Sequence, residues 1–162
     1  MSGEVRFLEC IGTPGAGKTI ISSVIREHLR RSCSGASILY LYHQIRAPHA
    51  QTLQMCALAL LCQLLEESPA FSLPEEPLLL FAPQHGSDDR LPTYELLRPA
   101  LVQTLSRNAP TYIIIDALDE YHEGDVIAQT ELIRELETLN FNLLVTSRTP
   151  LGAVRLLDKR LA

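Results

Sequence analysis

Eight consecutive residues, Gly12-Thr13-Pro14-Gly15-Ala16-Gly17-Lys18-Thr19, constrain this chain more than any other segment. They fill every fixed position of G-x-x-x-x-G-K-[ST], a loop whose glycines let the backbone wrap an oxyanion with its N–H groups turned inward. In that pattern Lys18 brings a cation to the β- and γ-phosphates of a nucleotide, and the Thr19 hydroxyl is a magnesium ligand. The pattern has this meaning between a strand and a helix. Both are predicted here: Arg6 to Ile11 is apolar enough for a buried strand, and Thr19 to Arg31 has helical spacing. Ile20, Ile21, Val24, Ile25, His28 and Leu29 fall on one helical face, which is expected to be the inward one. Lysine usage points the same way. Of fourteen basic residues only Lys18 and Lys159 are lysines, and one of them stands where a flexible ammonium is wanted rather than a planar guanidinium.

A chain of 162 residues with 46% hydrophobic and 20% charged residues is long enough for one domain with a real core. Its net charge of −5 offers no general attraction to polyanions, so neither nucleic acid nor an anionic membrane surface is expected as a partner. Cys10, Cys33, Cys56 and Cys62 form no C-x-x-C pair and are expected as small buried hydrophobes in a reducing, cytoplasmic setting. Met1 to Arg6 is polar and lacks the look of a signal peptide, and Met55 to Leu65 is too short to cross a bilayer.

Strand-like and helical runs alternate along the chain, which predicts an α/β fold with a mainly parallel sheet. Strands are expected at 37–43, 112–115 and 141–146 in addition to the first. Helices are expected at 52–67, 93–107 and 125–139. The 52–67 helix is apolar nearly all round and should be sandwiched. Thr93 is an N-cap, and Pro99 should kink or restart the helix it opens. Residues 68–92 hold five of the ten prolines and read as an irregular connection.

Two further sites follow from where strands end. Ligands of parallel sheets sit beyond the carboxyl ends of the strands. Tyr112-Ile113-Ile114-Ile115 runs straight into Asp116-Ala117-Leu118-Asp119-Glu120. Asp116 is therefore the expected partner of a magnesium ion held by Thr19, directly or through water. Glu120 is placed to orient or deprotonate the water attacking a γ-phosphate, and Asp119 can share either task. Arg148, just after the last strand, can sense and stabilise charge on the γ-phosphate; Thr146 and Ser147 are weaker candidates for phosphate contact. The remaining histidines lie apart without ligand spacing, and His43 receives no role.

Taken together, Gly12 to Thr19 (Walker A), Ile113 to Glu120 with its D-A-L-D-E sequence (Walker B), and Leu144-Val145-Thr146-Ser147-Arg148 resemble the NACHT branch of the signal-transducing (STAND) P-loop NTPases. In particular they resemble the nephrocystin-like N-terminal segments of fungal NACHT proteins that carry ankyrin or other repeats. The resemblance implies a three-layer P-loop NTPase sandwich in which the Arg148 strand separates the phosphate-loop strand from the Asp116 strand. It implies ATP and Mg2+ as cofactors and slow hydrolysis used as a switch. Self-association or protein partners would act through flanking regions. Family members carry longer flanks on both sides, so residues 1–162 are expected to be a single, truncated core. Tyr121 stands where the family often has cysteine. The alternative is a non-catalytic binding remnant whose partners dock on the 52–67 helix. A GTPase would need an N-K-x-D-like base-reading motif, which the sequence lacks, and a small-molecule kinase would need an acceptor site or basic lid.

Overall fold

The computed structural model describes residues 7–44, 52–67, 91–107, 110–139 and 141–151. Four parallel strands form its centre: β1 (Phe7–Ile11), β2 (Ser37–Tyr42), β3 (Thr111–Asp116) and β4 (Asn142–Ser147). Their order across the sheet is β1-β4-β3-β2. The strand carrying Arg148 thus lies between the phosphate-loop strand and the Asp116 strand, as the resemblance implies. Register aligns the strand ends: Ile11 lies opposite Ser147, and Tyr42 opposite Asp116. Loops leaving β1, β3 and β4 consequently share one edge.

Helices cover both faces, which makes the fold a three-layer α/β sandwich. On one side α1 (Lys18–Ser32) packs Ile25 and Leu29 against Ile38, Ile114 and Leu144. On the other side α2 (Leu53–Glu67), α3 (Tyr94–Arg107) and α4 (Val126–Glu137) build the larger core. There Leu39, Leu41, Ile113, Ile115, Leu143 and Val145 of the strands meet Leu60, Leu61, Leu97, Leu101, Leu132 and Ile133 of the helices. Alternate strand residues feed alternate faces, and burial on both faces explains why the strands read as continuous apolar runs. The near all-round hydrophobicity of α2 has the same cause. The helix lies between β2 and α3, and Cys56, Ala57, Leu60, Leu61 and Leu64 are buried.

Local chemistry sets the helix ends. Gly17 (φ 86°) precedes α1 in the left-handed region, which glycine enters without the Cβ clash of other residues. Asp125 caps α4, its Oδ1 accepting from the N–H groups of Ile127 (2.8 Å) and Ala128 (3.4 Å). Pro99 does not break α3. It sits on the exposed face, and so does Glu95, whose carbonyl loses the Pro99 N–H partner on the solvent side of the helix.

Two expectations need correction. Only part of the apolar face predicted for α1 turns inward: Ile20 (69%), Ile21 (45%) and Val24 (62%) are exposed. The helix lies over the middle of the sheet on Ser22, Ile25 and Leu29, so the flank facing β1 is left open. Of the four cysteines only Cys56 is buried, where desolvation pushes its thiol pKa up to about 12. The irregular stretch read at 68–92 lies, apart from Leu91 and Pro92, outside the described residues.

Candidate functional site

The glycine loop leaves β1 at Ile11 and closes into α1 at Lys18. Gly12 donates its N–H to Ser147 O at 3.1 Å, which ties the loop to the end of β4. A Cβ on Gly12 would stand 3.2 Å from the Ala16 Cβ, so the loop's tight closure depends on that missing atom. Lys18 Nζ donates to the carbonyls of Gly12 (2.6 Å) and Thr13 (3.1 Å), which keeps the ammonium over its own loop. Pro14, Gly15 and Ala16 form the exposed crest.

Asp116, only 4% exposed, is the hub. Its Oδ2 accepts from Thr19 Oγ1 at 2.6 Å, and its Oδ1 from Thr146 Oγ1 at 2.7 Å and Ser22 Oγ at 3.0 Å. A buried carboxylate needs such donors, and three hydroxyls from α1 and β4 provide them. Thr146 Oγ1 also accepts from the Ala117 N–H at 3.0 Å. That contact holds Ala117 in a left-handed conformation (φ 57°) that alanine rarely adopts. The chain turns sharply there and brings Asp119 and Glu120 back towards β4.

Arg148 meets both carboxylates. Its backbone N–H donates to Asp119 Oδ1 at 3.0 Å and its Nε to Asp119 Oδ2, while Nη2 donates to Glu120 Oε1 at 3.0 Å. The Asp119 hydrogen bond and charge, with Glu120 adding to them, push the guanidinium pKa above its ordinary value. Asp119 is the more enclosed of the two acids, with its side chain 13% exposed against 28% for Glu120. Thus Asp119 is a clamp on Arg148, whereas Glu120 touches it with one oxygen.

Sequence reasoning missed Ser22, Glu9 and His43. Glu9 Oε1 accepts from the Leu151 N–H at 2.8 Å, which fixes the chain beyond Arg148. His43, 3% exposed, packs edge-on against Tyr121 with ring centroids 4.9 Å apart, and its backbone N–H donates to the Asp116 backbone carbonyl at 3.1 Å. Burial lowers its pKa to about 4, with Asp116 opposing. No local sequence signal marks these three; each partner lies far away in the chain.

Thr19 and Asp116 offer hard oxygen donors at one point, with no sulfur or imidazole ligand between them. That set suits Mg2+, which takes one or two protein oxygens and completes its shell with water and phosphate. Beside it a pocket of about 160 Å³ opens between α1 and β2, lined in part by Ser22, Ser23, Tyr40 and Tyr42.

Comparison with solved structures finds the same fold at low sequence identity. A chain in the structure of Drosophila ORC bound to DNA matches with a TM-score of 0.56 and 16% identity, over 90% of this chain and 33% of that one. The Aeropyrum pernix ORC2 protein, in its ADPNP-ADP complexes, matches with a TM-score of 0.52 and 13% identity, over 96% and 37%. This chain therefore spans about a third of the length of each. A search of the curated proteins gives no match. The expectation that nucleic acid is excluded as a partner is withdrawn. The net charge of −5 was its only support, and the same fold occurs in a chain of a complex that carries DNA. Among the described residues no helix is long and apolar enough to cross a membrane. The family model described as nephrocystin 3, N-terminal, matches residues 1–148 and takes in the glycine loop, Asp116 with its acidic turn, and Arg148; the chain belongs to that family.

Proposed function

We propose that this chain is a Mg2+-dependent ATP-binding module that hydrolyses ATP slowly and serves as the switch of a NACHT-type signalling protein. The observation that carries the reading is the 2.6 Å contact between Thr19 and Asp116, 97 residues apart in sequence. It brings the first hydroxyl after the phosphate loop against a strand-end carboxylate, the donor pair a nucleotide-bound Mg2+ requires. The backbone N–H groups of the loop after Pro14, which itself has none, and the Lys18 ammonium hold the phosphates, while the Gly12 N–H ties the loop to Ser147 O. Thr19 and Asp116 hold the metal, which when bound would neutralise charge on the phosphates. Glu120 orients the attacking water, and Arg148, carried by Asp119, faces the charge that develops on the γ-phosphate.

The Arg148–Glu120 contact favours a second reading, nucleotide binding without turnover, because it occupies an oxygen of the carboxylate that would orient the attacking water. One set of measurements separates the two. Calorimetry should give MgATP binding to the wild type and none to Lys18→Ala. Glu120→Gln should retain that binding and lose phosphate release. Binding with no phosphate release by the wild type selects the second reading, and a folded wild type that ignores MgATP removes both. Excess GTP against labelled ATP tests nucleotide choice. Size-exclusion runs with and without MgATP test self-association, and a DNA titration tests the partner class that charge alone fails to exclude.

A further inference from the structure

On the far side of α1 from the β1 flank lies a cavity of about 670 Å³, bounded by α1, β2 and α2; no residue of the glycine loop lines it, although Arg26 and Tyr40 also line the smaller pocket beside Thr19 and Asp116. Arg26 and Arg30 line it, with Ser37, Tyr40, Gln63 and Glu66. The two arginines are one helical turn apart on the same face, a spacing at which like charges repel unless an anion answers them. Among the described residues none does. Neither guanidinium donates a hydrogen bond or forms an ion pair, although Glu66 lines the same cavity, and Arg26 Nε is buried with no partner.

Arg26 is nevertheless held in place. Its guanidinium carbon lies 4.0 Å from the centre of the Tyr40 ring. Tyr40 is itself pinned by Gln63, which accepts from the Tyr40 N–H at 2.9 Å and donates to the Tyr40 carbonyl at 2.8 Å. The amide of Gln63 takes the place a neighbouring strand would occupy at this edge. A guanidinium oriented by stacking and backed by a second one is the arrangement that recognises phosphate or carboxylate oxygens. The volume falls in the range of small-molecule sites.

We propose that this cavity is a second oxyanion site, distinct from the glycine loop, in which Arg26 and Arg30 bind the phosphate or carboxylate group of a small molecule. The site does not depend on the nucleotide reading, and the test keeps the two apart. The arginine Nε–Hε signals of the isotope-labelled full chain are followed by NMR during titration with inorganic phosphate and, separately, with acetate. Arg26→Lys identifies the Arg26 signal. The whole experiment is repeated in Lys18→Ala, which disables the phosphate loop.

The expected result is a saturable shift of the Arg26 and Arg30 signals that survives in Lys18→Ala. Arg30→Ala, a change at an exposed residue, should weaken it by about tenfold or more, the loss of one charge-assisted contact. Saturation by phosphate alone identifies a phosphorylated ligand class, and saturation by acetate alone a carboxylated one; both support the site. The proposal is overturned if neither anion saturates below about 10 mM, beyond the weak end of specific affinity. It is also overturned if the shift vanishes in Lys18→Ala, or if folded Arg30→Ala binds as the wild type does.

Discussion

Replacing Thr146 by valine should cost this protein a large share of its stability, although the two side chains have nearly the same shape. The Thr146 side chain is fully buried, and its oxygen makes two bonds. It donates to Asp116 Oδ1 at 2.7 Å and accepts from the Ala117 N–H at 3.0 Å. Valine removes both and leaves no room for water. A hydrogen bond to a charged acceptor contributes about 1.5–3 kcal/mol, and a buried N–H left without a partner costs about 1–3 kcal/mol. These effects share one site and overlap, so a combined loss of about 3 kcal/mol is expected. With a urea slope of about 2 kcal/mol/M, the unfolding midpoint should fall by roughly 1.5 M with the slope unchanged. The matched control is Thr130→Val, whose hydroxyl bonds Val126 O at 2.7 Å on an exposed helix turn and should change stability by less than about 0.5 kcal/mol. A Thr146→Val midpoint within about 0.5 M of wild type would refute the view that this hydroxyl holds the Asp116 turn together.

Three other perturbations have definite signs. His43 is neutral in the fold with a pKa of about 4 and regains its ordinary value of 6.5 on unfolding. The unfolded chain therefore binds more protons between those values, and stability should be full above pH 6.5 and fall by about 3 kcal/mol towards pH 4; His43→Phe should flatten that limb of a urea-midpoint profile. Asp125→Ala removes the cap of α4 and should cost about 1 kcal/mol in the same assay, with Asp125→Asn recovering most of it. Asp119→Asn weakens the clamp on Arg148, so MgATP affinity should change more than MgADP affinity in calorimetry if Arg148 faces the γ-phosphate; equal changes would remove Arg148 from that role.

Legibility from sequence followed the range of the interaction. The strands and helices lay within about two residues of their expected bounds, because periodicity and caps act over a few neighbours. Asp116 was legible for a similar reason: an apolar run has a visible end, and the fold places that end beside the glycine loop. Of the partners of Asp116, Thr19 was expected beside it, but the bonds from Ser22 and Thr146 were not, since these lie 94 and 30 residues away and look like any other hydroxyl residues. Arg148 was placed at the correct edge, yet nothing local announced that Asp119 would grip it by backbone and side chain together. For α1 the periodicity located an apolar stripe but not its direction. A helix lying over the centre of a narrow sheet covers less than its stripe, as exposed Ile21 and Val24 show.

The position of β4 has a consequence for how the molecule is made. The strand translated last of the four is the one that joins the others, since among the described residues β1 pairs only with β4, and β3 reaches β1 through it. While Asn142–Ser147 is still inside the ribosome, β2 and β3 can pair, but β1 and the glycine loop that follows it have no neighbour in the sheet. Until β4 arrives, only α1, which packs on β2 and β3, links the glycine loop to Asp116. At about 5–20 residues per second, the stretch from Asp116 to Ser147 takes roughly 2–6 seconds to synthesise. Through that interval the apolar β1 is exposed to chaperones and to other chains, and the glycine loop lacks the Gly12–Ser147 bond that later ties it to the sheet.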